Sequence, residues 1–130
     1  MSQGLGSRIA IAAGDVLADD LGEAEYDLVF MSMLVHHFDR DQNLAVARKV
    51  RRALRRGGVF VIQDIERTRE PSEKNQLGGL MDLYFALISR SGTWSMEEMT
   101  EWLRTAGFEV GRPVRFRTSP GLAQAVGKVR

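Results

Sequence analysis

The apolar segment at residues 26–35 ends directly at His36 and His37, the only two histidines of the chain. Asp27 is the single charged residue of that segment, so the pattern predicts a parallel strand that is buried on both faces. Open α/β sheets bind ligands at the carboxyl ends of such strands. Because histidine gains and loses a proton near neutral pH, we predict a functional site where this strand ends.

The periodicity of apolar residues predicts strands that alternate with helices. The predicted strands are 9–13, 26–32 and 59–65, followed by a hairpin of 109–117 and 122–129. The predicted helices are 40–55, capped by Asp39 and stopped by Gly57-Gly58; 77–88, largely buried; and one that begins after the cap Ser95 and ends at Gly107. This order indicates an α/β fold whose sheet is mostly parallel, with a C-terminal antiparallel hairpin.

Composition narrows the classes of function. The 130 residues fit one domain, and a net charge of +1 provides no strong field for nucleic acid or a membrane surface. The basic run 48–56 is interpreted as the solvated end of a helix, since no stacking aromatics accompany it. Without cysteine, and with no third ligand spaced near the histidines, we expect no metal site. No run is long enough to span a membrane, and we expect a cytoplasmic protein.

Several short motifs occur in an order that resembles class I S-adenosylmethionine-dependent methyltransferases. They are Ala13-Gly14-Asp15, the strand 26–30, Leu34-Val35-His36-His37-Phe38, and Leu54-Arg55-Arg56-Gly57-Gly58 with the strand 59–62. The segments 81–87 and 93–98 are similar to the small-molecule O-methyltransferases in particular. The resemblance extends from about residue 8 to the end of the chain. It implies a Rossmann-like sheet, S-adenosylmethionine as cofactor, and methyl transfer to a hydroxyl group of a small-molecule acceptor.

The resemblance covers only the third to seventh strands of the family's sheet. The first strand, the glycine-rich cofactor loop and the second strand would precede residue 8, so we expect residues 1–130 to form a single incomplete, truncated domain. In the family the first and second strands lie between the third and the fourth. We therefore predict either a homodimer or strand-exchanged assembly through the bare edge, or a rearrangement that places 9–13 beside 26–32.

By resemblance, His36 is the general base that takes the proton of the acceptor hydroxyl. The alternative is that His36 only fills the turn. Asp64 aligns with an acid that orients the base and fixes its tautomer; its alternative is a solvated acid at a strand end. His37 stands where plant relatives carry Asp.

For the cofactor, the resemblance assigns Asp15 to the adenine amino group and Val16 to a backbone contact and an apolar face for the ring. Ser32 and Met33 line the methionine end. Each has a structural alternative, a turn aspartate or ordinary packing. A set of apolar residues either lines an acceptor pocket or, as the pattern favours, belongs to the core: Phe38, Met81, Tyr84, Phe85 and Trp94. Two non-enzymatic alternatives stay open: an inactive fragment that acts as an assembly unit, and a helper subunit that completes a partner.

Overall fold

The computed structural model describes residues 6–67, 76–89 and 91–130. The strands are β1 (Tyr26–Ser32), β2 (Leu54–Ile65), β3 (Glu109–Val110), β4 (Val114–Arg115) and β5 (Leu122–Lys128). The helices are α1 (Arg40–Ala53), α2 (Gln76–Ile88) and α3 (Met96–Thr105), and a short 3-10 helix (Val35–His37) follows β1. In the parts of the chain described, no helix is long and apolar enough to cross a membrane.

The strands form one mixed sheet in the order β1-β2-β5-β3, with β4 also paired to β5. β1 and β2 are parallel, with Ser32 opposite Gln63. β5 runs antiparallel to β2, and β3 and β4 pair antiparallel with β5. The α/β class and the C-terminal antiparallel part are thereby confirmed. The parallel register places the carboxyl ends of β1 and β2 side by side, and this edge carries the predicted site.

Residues 9–13 do not form the strand that the sequence predicts. They lie outside the sheet, and Ile11 is 95% exposed. The alternative in which they pair with Tyr26–Ser32 is therefore wrong, because β1 pairs only with β2 among the described residues. Burial of β1 on both faces is also wrong: Leu28 and Phe30 are 58% and 52% exposed, and only Met31 of the strand is buried.

The hydrophobic core lies between the sheet and the pair α1 and α3. The side chains of β2 point alternately to the two faces of the sheet. Phe60 and Ile62 are buried, whereas Val61 and Gln63 are only partly buried. Trp102 and Leu103 of α3 complete this cluster. Full burial of each such side chain contributes about 1.5–3 kcal/mol before the cost of ordering the chain.

Both core helices begin as their sequences predict. Asp39 and Gln42 form a reciprocal capping box at the start of α1, and Ser95 and Glu98 form one at the start of α3. These side chains satisfy backbone N–H groups that have no partner inside a helix. The two helices are therefore fixed at their N-termini by local sequence alone.

The end of α1 differs from the prediction. The helix stops at Ala53 and β2 begins at Leu54, so Gly57-Gly58 lies inside the strand rather than ending the helix. The register between β1 and β2 shifts between Tyr26 and Leu28, and Gly57 has a φ of +81° there. The irregular strand needs this left-handed residue, which glycine adopts without steric cost.

The prediction that α2 is largely buried is wrong. Only Gly78 and Phe85 of the helix are buried. The four residues that were expected to face the core are exposed: Leu80, Leu83, Tyr84 and Leu87. These side chains form an exposed apolar face on α2, and no element of the described residues covers it.

Candidate active site

The turn after β1 brings His36 into contact with Asp64 at the end of β2. Nδ1 of His36 lies 2.8 Å from Oδ1 and 3.0 Å from Oδ2 of Asp64. The two residues expose 3% and 1% of their surface. The Asp64 Oδ1 atom also accepts the backbone N–H of Ile65 at 2.8 Å. The structure thus joins the two side chains that the resemblance assigns to base and orienting acid, and Asp64 is not a solvated strand-end residue.

Three side chains hold the histidine turn by its backbone carbonyls. Asn43 Nδ2 donates to the carbonyl of Val35 at 3.0 Å and to that of Phe38 at 3.1 Å. Trp94 Nε1 donates to the Val35 carbonyl at 3.0 Å, and Ser91 Oγ to the Phe38 carbonyl at 2.6 Å. These bonds fix the position of the turn against α1 and against the segment before α3.

Sequence reasoning missed Asn43 and Ser91 as parts of this site. Asn43 is buried on the inner face of α1 beside Val46 and Ala47. A polar residue in a buried helical stripe needs a hydrogen-bond partner. The place of Asn43 in that stripe therefore indicates a structural role for its side chain. Ser91 carried no comparable signal, because its contact depends on how two distant segments meet.

Phe85 of α2 covers the inner side of His36. The two rings stack with centroids 3.9 Å apart and an interplanar angle of 19°. Tyr84 lies edge-on to Phe85 at 5.4 Å but is itself exposed. Of the residues considered for an acceptor pocket, Phe85 therefore packs on His36, and Trp94 donates a hydrogen bond to the turn that carries His36.

His37 lies on the outer side of His36 and is exposed. Its Nε2 is 3.1 Å from Nε2 of His36, and the ring centroids are 4.2 Å apart. The nitrogen of His36 that does not face Asp64 thus faces a second imidazole.

Two adjoining cavities share Val16 and Leu21, one in the loop before β1 and the other against β1. One, of about 610 Å³, is lined by residues 12–16 and 19–21. The other, of about 340 Å³, is lined by Val16, Leu21, Val29–Ser32, Leu34 and Val50. Asp15 belongs to the first cavity, Ser32 to the second, and Val16 to both. Met33 is not among the lining residues; it adopts a φ of +54°, and its N–H donates to the Gln63 carbonyl at 2.8 Å.

The loop that carries Asp15 and Val16 is held from α1. Lys49 Nζ donates to the carbonyls of Val16, Leu17 and Asp19 at 2.8, 3.1 and 2.6 Å. The side chain of Asp20 accepts the N–H of Gly22 and pairs with Arg52. The Gly22 N–H, then the Arg52 guanidinium, hold the pKa of Asp20 below its usual value. Asp15 closes the loop by accepting the N–H of Leu17 at 2.9 Å.

No group of three His, Cys, Asp or Glu side chains within residues 6–67, 76–89 and 91–130 is placed to hold a metal ion. The described part of the site therefore consists of a buried His–Asp pair, an exposed second histidine and the two adjoining cavities, called here the double cavity, of which the first is lined in part by aspartates and the second is mostly apolar. The histidines and the second cavity lie along β1 and at its end, whereas the first cavity lies in the loop before β1.

Parallel strands β1 and β2 with a histidine–carboxylate pair at their carboxyl ends define an α/β domain with a ligand site at this edge of the sheet. The chain belongs to the family described as the O-methyltransferase domain, which matches residues 1–109.

Among curated proteins, the chain is 35% identical over 134 residues to a 3-hydroxy-5-methyl-1-naphthoate 3-O-methyltransferase of Streptomyces sahachiroi, covering 98% of this chain and 36% of that protein. It is 26% identical to the S-adenosyl-L-methionine-dependent methyl transferase PigF of Serratia sp. (strain ATCC 39006), covering 86% of this chain and 32% of PigF. The chain thus spans about a third of the length of the curated relatives it matches.

Solved structures give the same fold. A structure of PigF with SAH matches with a TM-score of 0.81 at 25% identity, covering 98% of this chain and 42% of that one. An O-methyltransferase family 2 protein from Planctomyces limnophilus, in complex with apigenin, matches with a TM-score of 0.83 at 22% identity, covering 98% and 37%. The arrangement of β1, β2 and β5 is therefore that of methyltransferase folds.

Proposed function

We propose that this protein transfers a methyl group from S-adenosylmethionine to a hydroxyl group of a small molecule. The observation that carries the proposal is the buried contact between His36 and Asp64, placed at the carboxyl ends of two parallel strands. The name of the Streptomyces relative, a hydroxynaphthoate O-methyltransferase, supports a phenolic hydroxyl as the acceptor. A phenol with a pKa near 10 is mostly protonated at neutral pH, so a base is required.

The double cavity fits the adenosine end of the cofactor. Val16 and Leu21 provide apolar surface for a purine ring, and the Asp15 carboxylate provides an acceptor for its amino group. Only one of the Asp15 oxygens is used by the Leu17 N–H, which leaves the other for a ligand. Ser32 and Met33, next along the strand end, would face the methionine part. When bound, the cofactor supplies an electrophilic methyl group on a positively charged sulfur.

The residues of the chain would act on the acceptor. Asp64 accepts the Nδ1 proton of His36, which fixes the imidazole in one orientation and leaves the lone pair on Nε2. Phe85 and the buried turn keep water from the inner face of the ring. A base placed in this way contributes about 10²–10⁴-fold, and in-line positioning of oxygen and methyl contributes further.

The direct test is to incubate the protein with methyl-labelled S-adenosylmethionine and a panel of hydroxylated aromatic acids, and to detect methyl ethers by mass spectrometry. Calorimetric titration with S-adenosylhomocysteine tests the cavity separately. We expect Asp15→Ala to weaken this binding by about tenfold, the loss of one good hydrogen bond, and Asp41→Ala, an exposed acid of α1, to leave it unchanged. No methyl ether from any acceptor and no binding heat would contradict the proposal.

A second function, an assembly unit, is favoured by one feature of β1. Its free edge is unpaired among the described residues, and Leu28 and Phe30 are exposed on its face. Such an edge pairs readily with another strand. We propose a second copy of the chain as the partner, in a homodimer or strand-exchanged form. Light scattering should find dimers that Leu28→Lys with Phe30→Lys converts to monomers, while Leu87→Lys on α2 has no effect. A wild-type monomer at all concentrations would exclude this function.

A further inference from the structure

Asp82 is the only charged residue of α2, and its carboxylate binds the segment 91–95. Oδ1 of Asp82 accepts the backbone N–H of Thr93 at 2.8 Å and the Thr93 hydroxyl at 2.9 Å. The direction of both bonds is fixed, because an ionised carboxylate only accepts and a backbone N–H only donates. Thr93 is 1% exposed, so little water competes for these bonds. The contact therefore joins α2 to the segment 91–95.

The residues on either side of Thr93 bind the turn that carries the two histidines. Ser91 Oγ donates to the carbonyl of Phe38 at 2.6 Å. Trp94 Nε1 donates to the carbonyl of Val35 at 3.0 Å. These two carbonyls stand before and after the histidines in the chain. The position of the turn therefore depends on the segment 91–95 and, through Thr93, on α2.

A second attachment of α2 acts on His36 directly. Phe85 follows Asp82 by three positions, so the two side chains project from the same face of the helix. The Phe85 ring stacks on the His36 imidazole with centroids 3.9 Å apart. This face of α2 thus contacts the His36 ring directly and the turn of His36 through the segment 91–95. Leu80, which points away from this face, is 65% exposed.

The surroundings hold the Asp82 carboxylate in place. A Cβ atom at Gly92 would lie 2.5 Å from Oδ1 of Asp82, so this close approach requires glycine. The Arg67 guanidinium lies 3.8 Å from the same oxygen and donates to Glu98 of α3 at 2.8 Å. The backbone N–H of Arg67 donates to the Trp94 carbonyl at 2.9 Å. Asp82 is therefore fixed where α2, α3 and the segment between them meet.

We propose that Asp82 is a positioning residue for His36, because it holds the segment 91–95 that binds the turn before and after the histidines. This inference rests on the proposed methyl transfer and keeps His36 as the group that takes the hydroxyl proton. Misplacement of a reacting group by about 1 Å costs about 10²-fold in rate, so a small shift of the turn is measurable. Asp82 lines neither part of the double cavity, so its loss should spare cofactor binding.

Kinetics of two Asp82 variants test the proposal. Asp82→Ala removes the acceptor, and we expect kcat to fall by at least about tenfold with little change in KM for the acceptor. Asp82→Asn keeps an oxygen that can accept both bonds from Thr93, and its kcat should stay close to that of the wild type. Calorimetry with S-adenosylhomocysteine counts the folded sites, and kcat is expressed per site. Leu80→Ala, on the exposed side of α2, is the control and should keep the wild-type kcat.

Two results would overturn the proposal. One is a wild-type kcat per site in Asp82→Ala. The other is an equal loss in Asp82→Asn and Asp82→Ala, because the bonds to Thr93 would then not be what matters. If Asp82→Ala does not fold, Thr93→Val loses only the hydroxyl donor and Thr93→Ser keeps it. A lower kcat in Thr93→Val than in Thr93→Ser supports the proposal, and equal values refute it.

The Nδ1 proton of His36 provides a test without cofactor or acceptor. This proton donates to Asp64 at 2.8 Å in a buried site, so its exchange with water reports how firmly the turn is held. We expect proton magnetic resonance to show exchange about tenfold faster in Asp82→Ala and unchanged in Asp82→Asn. Unchanged exchange in Asp82→Ala would overturn the positioning role. A wild-type protein that transfers no methyl group counts against the proposed function alone, and this exchange then judges the role of Asp82.

Discussion

Nδ1 of His36 lies 2.8 Å from Oδ1 of Asp64, and the two side chains expose only 4% and 2% of their area. This pair joins the turn after β1 to the end of β2. A hydrogen bond between a charged group and a buried partner is worth more than a neutral one, because little water competes for it. The pair should therefore contribute to folding as well as to the proposed chemistry.

We predict that Asp64→Asn lowers the free energy of unfolding by about 1.5–3 kcal/mol. Asparagine keeps one oxygen for the Ile65 N–H, but it removes the negative charge and turns an NH₂ group toward His36 at the position of Oδ2. Urea denaturation followed by circular dichroism measures the change. Asp27→Asn is the matched control, since Asp27 pairs with Arg55 and its side chain is 82% exposed; a change within about 0.5 kcal/mol is expected there. Equal effects of the two substitutions would contradict the prediction.

Phe85 should anchor α2 to the site. Its ring is buried against His36, whereas Leu87 on the same helix is 77% exposed. We expect Phe85→Ala to lower the stability by about 2–4 kcal/mol and to accelerate amide exchange throughout α2. Leu87→Ala is the control and should change the stability by no more than about 0.5 kcal/mol. Unchanged exchange in the Phe85 variant would mean that contacts other than this stack hold the helix.

The features that the sequence predicts most reliably are those that depend on neighbouring residues or on the direction of a strand. Both capping boxes form as expected, because each depends on residues three positions apart. His36 and Asp64 meet because one follows β1 and the other lies at the carboxyl end of the parallel strand β2. An apolar pattern, by contrast, identifies a face that requires cover and not the element that covers it. For that reason the burial of β1 and of α2 was predicted wrongly.

Contacts from a side chain to a distant backbone carbonyl were not predictable. Asn43 and Lys49 both lie on α1, and both bind carbonyls of segments earlier in the chain. Neither spacing nor composition indicates which carbonyls they reach, because that depends on how α1 packs. The structure adds these two residues to the candidate site.

Lys49→Met should release the loop that carries Asp15 and Val16. The ammonium group donates to three carbonyls of that loop, and the thioether cannot replace it. We expect amide exchange of Ala18 and Asp19, whose N–H groups both bind the Asp15 carbonyl, to accelerate about tenfold, equivalent to about 1.4 kcal/mol. The control is Lys128→Met at the exposed end of β5. Equal exchange in the two variants would show that Lys49 does not hold the loop.

Asp20 should make the same region sensitive to acid. Its pKa is below the usual value, chiefly because the N–H of Gly22 and then Arg52 favour the carboxylate. A lowered pKa in the folded state stabilises the protein above the unfolded value of about 3.9, and the contribution is lost as the pH falls through the folded pKa. Urea unfolding should therefore find Asp20→Asn less stable than wild type at about pH 7, with the difference shrinking as the pH falls below the unfolded value of about 3.9. A stability difference between variant and wild type that grows as the pH falls would contradict the prediction.

Two neighbouring glycines of α2 should respond oppositely to alanine. A Cβ atom at Gly78 would lie 2.6 Å from the backbone oxygen of Glu66, whereas one at Gly79 meets nothing within 4 Å. Gly78→Ala must therefore push α2 away from the end of β2, and we expect a loss of about 1–3 kcal/mol. Gly79→Ala gains helix propensity without a clash and should add up to about 1 kcal/mol. Thermal unfolding of both variants measures the contrast. If Gly78→Ala stabilised the protein as much as Gly79→Ala, the close approach of α2 to Glu66 would be disproved. The packing of Phe85 on His36, which depends on the same position of α2, would then be disproved as well.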